Sequence, residues 1–298
     1  MVKFDIVSGF LGAGKTTLIK KILKELNRNE KVILIENDFG DVSVDKEFLK
    51  IYGLEIYELA NGCVCCKLRG DFLLTLRQIL SREVDRIIFE PSGIFILSEI
   101  FDLFKDFEVF SRCYINSVTT VVDAQQFFKN INDHSQFFKS QILNASTLVL
   151  SKVQFLTNAE IDQIKEELQA LNEKALIVTK DWSDLSPQEL LKLIANNPLN
   201  TFFDDTHYLR HNFETWGIKT SKIIAYDQLE SFLEKCKNNA YGNILRGKGI
   251  IKSVGKFLEF QYVDGQYSIA EASIVADGIV SFIGKNLQTQ IFHEIFFQ

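Results

Sequence analysis

Near its beginning, the sequence contains a glycine-rich segment whose residue types suit the binding of phosphate groups. Residues 9–16 read G-F-L-G-A-G-K-T and match every fixed position of the phosphate-loop pattern G-x-x-x-x-G-K-[ST]. The glycines allow the backbone to curl so that successive N–H groups point at phosphate oxygens. We therefore expect a nucleoside triphosphate of unspecified base, with Lys15 at its β- and γ-phosphates and the Thr16 hydroxyl on Mg²⁺. The residues predicted to bind the nucleotide here are Gly9, Gly12, Ala13, Gly14, Lys15, Thr16 and Thr17.

A second group suited to chemistry is a cluster of cysteines. Of the five cysteines in the chain, Cys63, Cys65 and Cys66 fall within four positions, a clustering that favours a metal site in a reducing compartment. Thiolates are soft ligands that suit Zn²⁺ and also bind Co²⁺ or Ni²⁺. Three of them do not complete a tetrahedral site, so a fourth ligand comes from elsewhere or the position stays open for metal exchange. Two alternatives remain: inert thiols packed in a turn, or a redox pair joining Cys63 to Cys65 or Cys66.

The composition is that of an ordinary globular protein and excludes several classes of function. The 298 residues carry a formal net charge of −6, with 46% hydrophobic and 24% charged residues. Such an acidic chain is not a general nucleic-acid binder, and no apolar run reaches the roughly 20 residues of a membrane span. Residues 1–5 lead straight into a strand without a signal peptide, so we expect a cytoplasmic protein. The isolated Cys113 and Cys236 are predicted to belong to the apolar core.

The pattern of apolar residues predicts an α/β domain followed by a smaller α+β domain. Short apolar runs typical of strands buried in a parallel sheet occur at residues 4–7, 32–35, 86–89, 117–122, 147–150 and 175–178. Helical stretches separate them, and capping-box patterns at Thr157 and Ser186 mark two helix starts. We therefore expect a P-loop NTPase domain with a mostly parallel sheet at residues 1–205 and an α+β domain at residues 206–298.

The alternation of strands and helices changes after Pro198. Residues 199–215 are polar and irregular. Beyond them, strands are predicted at residues 222–225, 249–252, 257–262, 273–276 and 279–283. Asp227 opens a predicted helix, and a closing helix is predicted from apolar residues that recur every four positions, Leu287, Ile291 and Ile295. Together these elements indicate an antiparallel sheet with helices.

The phosphate loop, combined with the segment G-C-V-C-C at residues 62–66, resembles the CobW-type P-loop GTPases, relatives of the urease and hydrogenase nickel chaperones. Other segments similar to the family's motifs are E-N-D-F-G-D at residues 36–41, E-P-S-G at residues 90–93 and T-V-V-D at residues 120–123. Segments that resemble its C-terminal domain are I-L-R-G-K-G at residues 244–249 and I-G-K-N-L at residues 283–287. The resemblance thus covers nearly the whole chain.

This resemblance implies a metal site under nucleotide control. It assigns Lys15, Glu90 and Gly93 to GTP hydrolysis, with Glu90 either orienting water or contacting Mg²⁺ through its hydration shell. It also adds Glu36 and Asp41 to the three cysteines as ligands of a transition metal, zinc before cobalt; by charge alone, each acid is equally well a solvated loop residue. Such segments order around the γ-phosphate and relax after hydrolysis. Metal affinity would then differ between nucleotide states, and the metal would alter nucleotide affinity by the same factor.

Two departures from the family pattern bear on specificity. The family reads guanine with N-K-x-D, whereas the matching residues 151–154 are S-K-V-Q. Aspartate accepts two hydrogen bonds from guanine and a glutamine amide offers one neutral acceptor, so guanine selectivity is expected to fall by about tenfold or more. GTP remains the expected nucleotide, with Ser151, Lys152 and Gln154 at its base. The His-rich tract of some relatives is missing among the four histidines, and His207 with His211 fits a surface pair.

Three functions follow from these observations. The leading hypothesis is a GTP-binding and GTP-hydrolysing metallochaperone that delivers zinc or cobalt to a client metalloprotein. It would dock onto that client through its C-terminal domain and form a nucleotide- or metal-dependent dimer. The first alternative is a nucleotide-switched enzyme activator or assembly factor without metal cargo. The second is an ATP-dependent kinase, which the altered base motif makes conceivable.

Overall fold

The chain forms two compact units in a computed structural model that describes residues 1–26, 29–36, 55–58, 67–195, 213–272 and 277–297. The N-terminal unit is an α/β fold and the C-terminal unit an α+β fold, which confirms the predicted fold class. The predicted boundary near residue 205 lies outside the described residues. Among the helices that the structure describes, none is both long and apolar enough to span a bilayer.

Within its described residues, the N-terminal unit contains a seven-stranded sheet whose neighbouring strands all run parallel. The strands are β1 Val2–Gly9, β2 Val32–Glu36, β3 Glu55–Glu58, β4 Arg86–Glu90, β5 Cys113–Asp123, β6 Thr147–Ser151 and β7 Leu176–Val178. Their order is β3-β2-β4-β1-β5-β6-β7. Every apolar run predicted for this sheet forms a strand, while β3 was not predicted. The central position of β1 places the phosphate loop at the middle of the sheet.

Helices lie between these strands and after β7. They are α1 Lys15–Glu25, α2 Lys67–Leu80, α3 Leu97–Leu103, α4 Phe107–Phe110, α5 Phe127–Asp133, α6 Ser135–Leu143, α7 Asn158–Leu171 and α8 Pro187–Lys192, with a 3₁₀ turn at Val153–Phe155. Both predicted capping boxes are confirmed: Thr157 with Glu160 opens α7, and Ser186 with Glu189 opens α8.

Strand β1 separates two apolar cores. Phe4 and Ile6 pack on one face with the buried side chains of α2 and α3. Val7 packs on the other face with α1 and α8, among them Leu18 and Leu190. Because both faces are covered by helices, the strand reads as a nearly continuous apolar run. Ala13 of the phosphate loop belongs to the second of these cores.

Within its described residues, the C-terminal unit contains a five-stranded antiparallel sheet of order β11-β10-β9-β12-β8. The strands are β8 Glu214–Thr220, β9 Asn243–Ser253, β10 Lys256–Val263, β11 Gln266–Ala272 and β12 Gly278–Lys285. Helices α9 Tyr226–Lys237 and α10 Thr289–Phe296 contribute to an aromatic core with the sheet. Core residues of this unit include Trp216, Phe232, Phe260, Phe282 and Phe292.

The predicted strand at residues 222–225 is wrong. Ile223 makes only an isolated bridge to Lys252 and is 55% exposed. The strand lies earlier, at β8, where Trp216 belongs to the core and Ile218 packs against it. This alternation was hidden because polar residues and Gly217 interrupt the apolar signal.

The structure also differs from the prediction near the end of the chain, at β11 and at α10. Strand β11 was not predicted, although Asp264 and Gly265 both have positive φ, 44° and 86°, and form the two-residue hairpin turn that precedes it. The predicted strand at residues 273–276 lies outside the described residues. Helix α10 begins after Leu287 and buries Phe292 and Phe296 rather than the expected isoleucines.

Candidate nucleotide and metal site

The phosphate loop, residues 9–16, leaves the carboxyl end of β1 and runs directly into α1. Gly14 caps this helix with a φ of 98°, in the left-handed region that favours glycine. At the other end of the loop, a Cβ on Gly9 would lie 2.4 Å from the carbonyl oxygen of Val121 on β5. The loop therefore brings the N-terminus of α1, where backbone N–H groups and the helix dipole favour an anion, to the middle of the sheet edge.

Lys15 and Thr16 form the start of α1, and Thr16 connects it to the end of β4. Oγ1 of Thr16 donates a hydrogen bond of 2.8 Å to Oε1 of Glu90. Both Lys15, 9% exposed, and Glu90, 5% exposed, are buried. A hydroxyl oxygen beside a carboxylate oxygen suits Mg²⁺, a hard cation that takes one or two protein oxygens and keeps several waters. This pair therefore fits the magnesium ion that accompanies a bound nucleotide.

Gly93, in the turn that follows β4, lies against the backbone of the phosphate loop. A Cβ at this position would be 2.5 Å from the backbone nitrogen of Leu11. Its carbonyl oxygen accepts a hydrogen bond of 2.9 Å from Nε2 of Gln141 on α6. The carbonyl of Gln141 in turn accepts one of 2.9 Å from Oγ1 of Thr120 on β5. The predicted catalytic residues Glu90 and Gly93 thus both contact the segment that carries Lys15.

The predicted metal ligands are only partly within the described residues. Glu36 ends β2, is 8% exposed, and is the register partner of Glu90 on β4. Cys63, Cys65, Cys66 and Asp41 lie outside the described residues, so the predicted ligand set stays a prediction. In the part of the chain that is described, no three His, Cys, Asp or Glu side chains form a group that could hold a metal ion.

The predicted base motif follows β6, two strands from β1. Ser151 is buried and its hydroxyl donates to the carbonyl oxygen of Val122 at 3.3 Å, whereas Gln154 is exposed. Lys152 has a positive φ of 60°, and its Nζ lies 2.5 Å from Oδ2 of Asp123 at the end of β5. Asp123 also accepts the backbone N–H of Gln125 at 3.1 Å. An ion pair therefore holds Lys152 at the carboxyl end of β5, the strand next to β1.

Most of these residues lie in a stretch that matches a known protein family. The sequence model of the CobW/HypB/UreG nucleotide-binding domain matches residues 3–179. The chain belongs to the CobW/HypB/UreG family. A second model, of the cobalamin synthesis protein CobW C-terminal domain, matches residues 213–298. The resemblance that the phosphate loop and cysteine motif indicated is thereby confirmed.

Members of the CobW/HypB/UreG family and solved structures are similar to both units. A zinc chaperone CobW from a Sinorhizobium species is 30% identical over 289 residues, covering 84% of this chain and 81% of its own. The zinc-regulated GTPase metalloprotein activator 1 of Schizosaccharomyces pombe is 29% identical over 211 residues, or 67% of this chain. The match spans 51% of that relative's length. A Zn(II)-bound triple mutant of the YjiA GTPase shares the fold, with a TM-score of 0.51, 21% identity and coverage of 99% of this chain and 97% of its own.

Three residues near the phosphate loop of this CobW/HypB/UreG family member were not singled out from the sequence: Asp123, Gln141 and Trp182. Asp123 could have been found, because it ends the segment T-V-V-D at residues 120–123, which resembles a motif of the family. No sequence motif marked Gln141 on α6 or Trp182 after β7, because the contacts of both side chains depend on how distant segments pack.

The predictions for the isolated cysteines are confirmed. Cys113 and Cys236 are fully buried, and burial raises the pKa of each thiol to about 12.

Replacing Gln141 with leucine is expected to lower the free energy of unfolding of this family member by about 1–3 kcal/mol. The substitution removes Nε2 and leaves the buried carbonyl of Gly93 without that hydrogen bond. Urea denaturation followed by circular dichroism measures the change. Gln169 on α7 provides the matched control, since it is exposed and its Nε2 donates to the carbonyl of Glu173 at 3.3 Å. A loss for Gln141→Leu no larger than for Gln169→Leu would show that this contact does not stabilise the fold.

Proposed function

We propose that this chain is a GTP-hydrolysing metallochaperone that couples its nucleotide state to the binding and delivery of zinc. The observation that carries the proposal is the 2.8 Å hydrogen bond from Thr16 to Glu90, because Glu90 is also the register partner of Glu36. One carboxylate thus links the phosphate loop to the strand that leads into the predicted metal ligands. A change at the phosphates would reach the metal site through two adjacent strands.

The nucleotide part of the proposal uses residues that the structure brings together. Lys15 binds the β- and γ-phosphates, and backbone N–H groups of residues 12–16 orient them. Thr16 and Glu90 hold Mg²⁺, which when bound neutralises charge on the phosphates. Gly93 places its backbone beside the phosphate loop, where it contacts the γ-phosphate and responds to its loss. Ser151, Lys152 and Gln154 contact the base.

The metal part of the proposal concerns Glu36 and the residues that follow it in sequence. Asp41 comes five positions after Glu36, and the cysteine cluster precedes α2. Glu36, the register partner of Glu90, would be a ligand next to the nucleotide site, while Cys63, Cys65 and Cys66 supply thiolates. The names of the relatives support zinc as cargo, since one is a zinc chaperone and another a zinc-regulated GTPase metalloprotein activator.

Delivery requires a partner, which we place at the C-terminal unit. The separate domain model that matches residues 213–298 supports an independent role for this unit. We propose that it docks the client metalloprotein, and that nucleotide or metal promotes dimerisation of the chain. Native mass spectrometry of the protein with and without GTP and zinc would show the dimer as a change in mass.

Coupling is tested by zinc titration in the presence of Mg²⁺ with a non-hydrolysable GTP analogue or with GDP. We expect the two zinc affinities to differ by at least about fivefold, the lower range of coupling between sites. Equal affinities would contradict the coupling. Phosphate release without any acceptor supports hydrolysis over a kinase activity, and the same assay with ATP measures nucleotide preference.

Replacing Cys63, Cys65 and Cys66 together with serine is expected to weaken zinc binding by about 100-fold or more, because the soft ligands are lost. Competition with a chromophoric chelator measures the affinity. The matched control replaces Cys113 and Cys236 with alanine, since both lie in apolar cores and are not predicted ligands.

The outcome of this substitution also separates the metallochaperone from an activator without metal cargo. Unchanged zinc binding in the triple variant would contradict the ligand assignment. Intact activation of a client metalloprotein by a variant that no longer binds zinc would instead favour an assembly factor in which the cysteines carry no cargo.

A further inference from the structure

Trp182 lies on the phosphate loop, although it comes from a distant part of the sequence. It belongs to the turn after β7, and a Cβ placed on Gly14 would be 2.9 Å from Cη2 and 3.4 Å from Cζ2 of its indole. The ring packs against the core that contains Ala13 and Leu18, and it stays partly exposed. An aromatic surface therefore borders the N-terminus of α1, where the phosphates are expected.

Hydrogen bonds hold the turn that carries Trp182 in one shape. Oδ1 of Asp181 accepts the backbone N–H of Ser183 at 2.7 Å and its hydroxyl at 2.5 Å. The backbone N–H of Asp184 donates to the carbonyl of Asp181 at 3.0 Å. These bonds from Ser183, together with the charge of Lys21 on α1, lower the pKa of Asp181 from its ordinary value. The indole is thus presented to α1 by a turn whose own hydrogen bonds define its shape.

The sheet order places this aromatic surface along the path of a nucleotide. Ligands of open parallel sheets lie at the carboxyl ends of the strands. A nucleotide with phosphates on the loop after β1 and a base at residues 151–154 after β6 extends across β5 toward β6. Strand β7 is the next neighbour of β6, and its following turn returns to Gly14. A nucleotide bound in this way would pass close to Trp182 at the start of its path, because the indole borders Gly14.

We propose that Trp182 contacts the nucleoside by stacking and supplies binding energy that does not depend on the identity of the base. The inference rests on the proposed nucleotide site and adds a residue that contributes affinity for any base. Stacking uses the face of the base, which adenine and guanine share, whereas edge recognition distinguishes them. The base motif offers the neutral, exposed Gln154 in place of a carboxylate, and Lys152 pairs with Asp123. With weaker recognition of the base edge, stacking on the indole of Trp182 contributes a larger share of the affinity for the nucleotide.

The chain contains two tryptophans, so replacing one of them allows the fluorescence of the other to be measured alone. Trp216 is buried in the C-terminal core, where it stacks on Phe282, so Trp216→Phe leaves Trp182 as the single emitter. We expect both GTP and ATP with Mg²⁺ to change the fluorescence of Trp216→Phe. The matched variant Trp182→Phe, in which only Trp216 emits, should show no change. A silent Trp182 in the presence of bound nucleotide would overturn the proposal.

Affinity measurements with Trp182→Leu separate stacking from support of the loop. Leucine keeps an apolar contact with Gly14 but removes the aromatic face. We expect affinity for GTP and for ATP to fall alike, by about tenfold, and affinity for inorganic triphosphate to stay within about twofold. Melting temperature verifies that the variant folds. An equal loss with inorganic triphosphate, a loss confined to GTP, or no loss would each overturn the inference. Failure of the wild-type protein to bind any nucleotide, or wild-type affinity in Lys15→Ala, would instead overturn the proposed function.

Discussion

Replacing Lys15 with alanine is expected to lower the rate of GTP hydrolysis by roughly 100-fold to 1,000-fold, the effect of removing one preorganised donor from a charged transition state. Lys15 is the first residue of α1 and is 91% buried, since only 9% of it is exposed. A buried ammonium acts on phosphate charge with little screening by water. Phosphate release under single-turnover conditions measures the chemical step directly.

Two further variants test whether the loss of hydrolysis depends on a lysine at position 15 in particular. Lys24→Ala removes an exposed lysine from the same helix and should leave hydrolysis unchanged. Lys15→Arg keeps a positive charge but replaces a compact ammonium with a planar guanidinium, and we expect it to remain impaired. A loss below about tenfold for Lys15→Ala would contradict the assignment of Lys15 to the phosphates.

The second large effect is expected for Gly93→Ala. The added Cβ would lie 2.5 Å from the nitrogen and 2.8 Å from the Cα of Leu11, both backbone atoms of the phosphate loop. Either the loop or the turn after β4 must therefore move. A displacement of about 1 Å at a catalytic centre costs around 100-fold in rate, and overpacking of this kind costs about 1–3 kcal/mol of stability. Single-turnover hydrolysis and urea denaturation measure the two losses.

Gly70 offers a control with the same chemical change. It lies within α2, and a Cβ placed on it meets no atom within 4 Å. Gly70→Ala is expected to leave hydrolysis unchanged and to stabilise the helix by about 0.5–1 kcal/mol. If Gly93→Ala hydrolysed GTP as fast as Gly70→Ala, the close packing of Gly93 on the phosphate loop would not matter for catalysis.

The parallel sheet and its helix starts could be predicted because their signals are local. Residues 32–35 and 87–89 are continuous apolar runs, as expected for strands covered on both faces. Thr157 and Ser186 mark helix starts because a cap depends on residues three positions apart. The half-exposed β8 and β11 were missed, since a strand with one covered face carries fewer apolar residues and a weaker pattern.

The sequence by itself determined the family, through two short motifs, and the chemistry of the phosphate loop. The pattern at residues 9–16 is contiguous, so its glycines, Lys15 and Thr16 meet a phosphate wherever the loop is placed. The predicted roles of Lys15 and Thr16 needed no knowledge of distant contacts.

The resemblance named Glu90 and Gly93, but only the tertiary structure decided which groups they contact around this loop. Glu90 reaches Thr16 across 74 positions, and Gln141 reaches Gly93 across 48. Trp182 lies on Gly14 because β7 and α8 pack beside α1. In a parallel sheet, strands that are neighbours in space are separated by helical crossovers in sequence, so such contacts leave no local pattern. The order of the strands, rather than any motif, assembles the site.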